Sequence, residues 1–247
     1  MKQFLCVILF WLACINCSAQ VEKINTSRLN LYDSIRNRSV PVNIYYKTDA
    51  DSCYKPSITQ IVIISNGYGI KNTDYSFIAH RLVEFGYFVV SIQHDLPTDE
   101  PLARTGNIYE LRKPVWERGV DNINFVISWL KAKNKCLDYS NLILIGHSNG
   151  GDISMLYCTK YKANVSKVIS LDHLRMPIPH LSHPKILSIR ANDTQADNGV
   201  IPCSDKQKEL GIKLVYLKNS KHNDMCNNGN TELKQDILLE IENFIRD

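Results

Sequence analysis

The sequence has little of what would mark an unusual chain. Its 247 residues hold only 11 Gly and 9 Pro, far short of collagen-like or low-complexity composition. No CxxC spacing occurs among its eight cysteines, which leaves no footing for a thioredoxin-like or zinc-ribbon reading. Lys and Arg form no block or stripe. Their 29 positive charges are interspersed with 25 acidic residues, for a formal charge of +4. Nothing therefore points to a nucleic-acid or lipid-headgroup surface. Beyond the first twenty residues no run is long and apolar enough to span a bilayer. What is present, 44% hydrophobic and 22% charged, is ordinary globular composition. The length suits one large α/β domain or two small ones.

The N-terminus reads as an export leader. Lys2 gives a short positive start, Phe4 to Ile15 is almost wholly apolar, and Cys17-Ser18-Ala19 puts small residues before a cut at Gln20. Cys14 after Leu12-Ala13 offers a lipoprotein alternative, but Trp11 stands where such a signal carries an aliphatic. The expectation is a cleaved leader over residues 1–19, an exported protein with no membrane span in the mature chain, and one domain over residues 20–247. Cys6, Cys14 and Cys17 leave with the leader, so Cys53, Cys136, Cys158, Cys203 and Cys226 remain. Export permits disulfides, and an odd count leaves at least one thiol free. Cys203 and Cys226, which flank the candidate site segments, are the pair to test.

From residue 28 the pattern alternates strand and helix. Two early strands over residues 28–46 surround a turn at Arg36-Asn37-Arg38. Ile61 to Ile64 is a continuous β-branched run, as in a strand buried on both faces. Asp74 is placed to cap a helix carrying Ile78, Leu82 and Phe85 that ends at Gly86, before the apolar strand Tyr87 to Ile92. Residues 93–113 read as a polar loop. Trp116, Val120, Ile123, Ile127 and Leu130 then recur at helical spacing. Leu142 to Ile145, Val165 to Leu171, Lys185 to Ile189 and Lys213 to Leu217 are further strands. A helix around Ile153 to Tyr157 follows the first of these, and Leu233 to Phe244 forms the last helix. Such alternation predicts a parallel sheet covered by helices on both sides.

Gly146-His147-Ser148-Asn149-Gly150 lies between an apolar strand and a helix, the context of a nucleophile elbow. A serine on so sharp a turn is held in a strained conformation, and glycine at both flanks leaves room for close packing. The turn also aims the Asn149 N–H, at a helix N-terminus, toward a developing oxyanion. A base should follow late in the chain, and His222 runs out of the last strand at the same edge of the sheet as Ser148. The acid should follow the strand 185–189. Asp193 is the nearer candidate, whose shorter loop holds a carboxylate more rigidly. Asp197 precedes Gly199-Val200-Ile201-Pro202, and Asp172, at the end of strand 165–171, is a third possibility. Ser65-Asn66-Gly67-Tyr68-Gly69 leaves the first buried strand, and Tyr68 N–H is expected to join Asn149 N–H as an oxyanion donor. His173, His180 and His183 are joined by no carboxylate or cysteine in a recognised pattern, so neither metal nor cofactor is expected.

These residues resemble the α/β-hydrolase superfamily over nearly all of residues 28–247. Ile61 to Asp95, with NGYG and then GYFVVSIQHD, looks like the same part of platelet-activating-factor acetylhydrolases and dienelactone-hydrolase-like proteins. Those commonly carry His-Gly at the positions of Asn66-Gly67. Dienelactone hydrolase proper uses a cysteine nucleophile where this chain has Ser148. The segment IRANDT is similar to the acid turn of bacterial polyester-cleaving hydrolases, which favours Asp193. The resemblance implies a mostly parallel central sheet of about eight strands with helices on both faces, and a serine esterase working through a Ser-His-Asp triad and an acyl-enzyme, with a serine peptidase or a non-catalytic binding protein of the same fold as the alternatives. Residues 172–184 are too few for a helical lid, so an open site for short acyl groups or exposed esters is expected. The 93–113 loop, with Tyr109 and Trp116, is the expected pocket wall.

Overall fold

The computed structural model describes residues 23–47 and 59–247. The expected leader and Cys53 lie outside them. Eight strands form one sheet: β1 (Ile24–Asp33), β2 (Arg38–Lys47), β3 (Thr59–Ser65), β4 (Phe88–Ile92), β5 (Leu137–His147), β6 (Val165–Leu171), β7 (Lys185–Arg190) and β8 (Lys213–Tyr216). Their spatial order is β1-β2-β4-β3-β5-β6-β7-β8. The β1–β2 and β2–β4 pairs are antiparallel, and every pair from β4–β3 onward is parallel. The sheet is thus mostly parallel, as the βα alternation predicts.

The central parallel strands carry continuous buried apolar runs, Ile61 to Ile64 in β3 and Leu142 to Ile145 in β5, because both of their faces are covered. Side chains alternate across the sheet. Ile61, Ile63, Leu142 and Leu144 join a core built with α2 (Ile108–Lys133) and α3 (Asn149–Tyr161). Val62, Ile64, Ile143 and Ile145 join a second core with α1 (Ser76–Glu84) and α5 (Thr231–Arg246). No helix among the described residues is long and apolar enough to cross a membrane.

Several local expectations need correction. Asp74 does not cap α1; it sits in a 3-10 turn over Asn72–Tyr75, and Tyr75 occupies the cap position. The stretch 93–113 is not loop to its end, since α2 starts at Ile108 with the Asn107 side chain accepting from Glu110 N. Pro114, a residue that reads as a breaker, lies inside that helix. A short helix α4 (Ser204–Leu210) has no buried residue and so no apolar stripe to betray it. Cys136 is disulfide-bonded. Cys203 and Cys226, the expected pair, are both free. Cys226 is buried under α5 with its thiol against the Asn223 carbonyl, whereas Cys203 is exposed before α4.

Candidate active site

A parallel sheet delivers the carboxyl ends of its strands to one edge. Here that edge gathers the exits of β3, β5, β6, β7 and β8, which carry residues 66–70, 148, 172, 191–194 and 217–222.

The elbow is built by close approach. Ser148 follows the last residue of β5 and precedes α3, with φ 51° and ψ −121°. A Cβ on Gly146 would stand 2.2 Å from the Gly150 carbonyl oxygen, and one on Gly150 would stand 2.2 Å from the Ser65 carbonyl oxygen. Both positions therefore exclude any side chain, and the second presses the elbow against the end of β3. The strained serine backbone is locked by its own N–H, which donates to the Leu171 carbonyl at 2.9 Å.

His222 lies between a serine and a carboxylate. Its Nε2 is 2.8 Å from Ser148 Oγ, and its Nδ1 is 2.6 Å from Asp172 Oδ2. The carboxylate can only accept when ionised, so Nδ1 carries the proton and Nε2 is free to accept from the serine hydroxyl. Asp172 leaves β6 at φ 53° and is fully buried. Burial alone would raise its pKa, but the hydrogen bond from His222, the Arg190 guanidinium, the Thr194 hydroxyl and the Ala191 amide hold it down to about 2. Arg190 is itself buried, with Nη2 3.1 Å from Asp172 Oδ1 and Nη1 2.6 Å from the His173 carbonyl.

Of the three candidate acids, Asp172 is the one whose carboxylate meets the His222 ring. Asp193 is exposed and accepts from the His222 backbone N–H at 2.7 Å, not from its ring. Asp197, also exposed, pairs with Arg175. The physical reason is reach. The Asp172 backbone turns immediately on leaving β6, whose neighbours β5 and β7 hold it, whereas the loop after β7 bends its carboxylates to the rim. The signal for Asp172 in the sequence was an acid directly at the end of the strand 165–171. Arg190, Thr194, Tyr75 and the elbow's own His147 went unread, because none belongs to a recognisable spacing.

The loop after β3 lies beside the elbow. The Asn66 side chain organises it, donating to the Gly67 and Ile70 carbonyls and to Asp95, and accepting from His94 N. Gly67 N–H is engaged by the Tyr75 hydroxyl at 2.9 Å, so Tyr68 supplies the next amide along the loop. The Tyr68 ring reaches outward, its hydroxyl accepting from Leu102 N at 3.2 Å. Asn149 opens α3, where backbone N–H groups lack helical acceptors. Its side chain is pinned by Trp116 Nε1 at 2.9 Å. Tyr109 packs edge-on to Trp116 at 5.5 Å between centroids.

No family model matches the chain, and no curated protein does. Solved structures do. A ferulic acid esterase from Streptomyces cinnamoneus superposes with a TM-score of 0.59 at 16% identity, over 84% of this chain and 77% of its own. A dienelactone hydrolase-like promiscuous phosphotriesterase, P91, from metagenomic libraries gives 0.64 at 12% identity, over 90% and 97%. A Rhizomucor miehei esterase gives 0.61 at 12%, over 92% and 84%. At such identities the likeness is one of architecture. Strand order, elbow and neighbours agree: the chain has the α/β-hydrolase fold.

Proposed function

We propose that the protein is a serine hydrolase that cleaves carboxylic esters. The observation that carries this reading is the alignment of Ser148, His222 and Asp172 at 2.8 and 2.6 Å on a strained elbow. Ser148 Oγ attacks the ester carbonyl while His222 Nε2 takes its proton, and the same nitrogen returns it to the leaving alkoxide. Water then hydrolyses the acyl-enzyme by the same route. Asp172 keeps His222 in the required tautomer and favours the imidazolium that forms. The amides of Tyr68 and Asn149 receive the oxyanion. The reaction calls on no cofactor.

Residues 172–184, between β6 and β7, contain no helix that could fold over the site, which supports short acyl groups or an ester exposed on a larger molecule. The leader-like sequence of residues 1–19 supports export. The test is hydrolysis of p-nitrophenyl acetate, butyrate and octanoate by the wild type beside Ser148→Ala. Loss in the variant with preference for the shorter esters is expected. Equal activity in both proteins would overturn the mechanism, and an octanoate optimum would overturn the substrate class.

A further inference from the structure

Behind the site runs a buried chain of hydrogen bonds that the triad does not use. Gly67 N–H donates to the Tyr75 hydroxyl at 2.9 Å. That hydroxyl lies 2.8 Å from His147 Nδ1, and His147 Nε2 lies 2.8 Å from the backbone carbonyl oxygen of His222. The two ends fix its direction. A backbone N–H can only donate and a carbonyl can only accept. The His222 carbonyl therefore takes a proton from Nε2, and in the neutral imidazole Nδ1 is left as the acceptor to which the Tyr75 hydroxyl donates. Burial, helped by the neighbouring His222, pushes the His147 pKa down to about 4 and so favours that neutral form. Both side chains are shielded from water, at 1% exposure each.

The surroundings make this chain stiff. A Cβ on Gly67 would stand 2.8 Å from His147 Nδ1, so the imidazole packs directly on the loop backbone. The turn that carries Tyr75 is tied to β4 through Asn72 and Ser91, which exchange hydrogen bonds at 3.0 and 2.7 Å. It is tied as well to the loop after His222, where Asn227 N donates to the Asp74 carbonyl at 2.6 Å and Asn227 Nδ2 to Ser76 Oγ at 2.9 Å. One hydrogen-bonded path therefore joins the loop that offers the Tyr68 amide to the backbone of the base.

We infer that Tyr75 and His147 are positioning residues: their relay from Gly67 N–H to the His222 carbonyl holds the oxyanion donor and the general base in register across Ser148. The inference rests on the serine-hydrolase reading above. A displacement of about 1 Å in such groups costs on the order of 10²-fold in rate. Binding of a small ester by the open site should be little affected.

The test compares wild type, Tyr75→Phe, His147→Leu and His147→Gln. It follows the rate of fluorophosphonate labelling at Ser148 and kcat and KM for p-nitrophenyl acetate, with circular dichroism as the check on folding. Tyr75→Phe and His147→Leu should lower the labelling rate and kcat by roughly 10–100-fold with KM within about twofold. His147→Gln, whose amide offers an acceptor and a donor at similar separation, should recover most of the loss. On the wild type, nitrogen-15 NMR should report His147 as the neutral Nε2–H tautomer, a readout that needs no variant to fold. Unchanged kcat in Tyr75→Phe and His147→Leu, or an Nδ1–H or doubly protonated His147 at pH 7, would overturn the relay. A wild type that neither labels nor hydrolyses any ester would instead overturn the serine-hydrolase reading itself.

Discussion

Replacing Asp172 by asparagine changes one atom and the charge, and the structure dictates how the new amide must sit. Oδ1 faces two obligate donors, Arg190 Nη2 and Ala191 N, each at 3.1 Å. The amide oxygen takes that side, so the NH2 group faces His222 Nδ1. A donor there forces Nδ1 to accept, which moves the imidazole proton to Nε2 and removes the acceptor for Ser148. In a serine-protease triad this change costs about 10⁴-fold in kcat, close to 5.5 kcal/mol of barrier. Asp193→Ala instead deletes one exposed bond to the His222 backbone, worth about 0.5–1.5 kcal/mol, or roughly 2–10-fold. Steady-state hydrolysis of p-nitrophenyl acetate by both variants decides between them. The expected result is a loss near 10⁴-fold for Asp172→Asn beside a loss within about tenfold for Asp193→Ala. Comparable losses, or the reverse order, would refute the assignment of Asp172.

Other consequences are equally direct. Asp172 titrates below its ordinary value, so it adds about 2 kcal/mol of stability that is present above pH 4 and is lost as pH falls toward 2. Urea titrations of wild type and Asp172→Asn should therefore differ at pH 7 and converge near pH 2. Burial pushes Asp152 the other way, up to about 6, despite two amides donating to Oδ1 and the nearby Arg112 and Arg175. Protonated Asp152 contributes stability that is complete below pH 4 and is lost as pH rises through about 6. Asp152→Asn keeps the Oδ1 acceptor and should be about 3 kcal/mol more stable than wild type at pH 8, and equal to it near pH 4. Gly150→Ala would drive a methyl into the Ser65 carbonyl, so esterase activity should vanish and urea unfolding should show a loss of at least 1–3 kcal/mol, about the usual cost of overpacking. Asn230→Ala removes the side-chain cap on Leu233 N at the start of α5 and should lower stability by about 1 kcal/mol without touching kcat.

The strands buried on both faces were legible because apolar, often β-branched residues suit such a position, as in Ile61 to Ile64 and Leu142 to Ile145. The elbow was legible for a related reason: Gly146 and Gly150 stand where packing admits no side chain. What was hidden depends on contacts distant in sequence. Asp172 acquires its place through Arg190, Thr194 and a histidine fifty residues away. Spacing along the β7 loop could suggest Asp193 but could not show that its carboxylate turns to the backbone of His222. The place of His147 was hidden because a buried hydrogen bond to Tyr75 leaves no periodic trace. The start of α2 was masked by Pro114 and by a polar first turn, and α4 by the absence of any buried face.

Reaction of the wild-type protein with a fluorophosphonate probe, followed by mass spectrometry of the labelled peptide, tests the central claim most directly. One phosphonylated residue, Ser148, is expected, with labelling lost in Ser148→Ala and His222→Ala. An unlabelled Ser148 in folded protein, or labelling at another residue that survives Ser148→Ala, would contradict it.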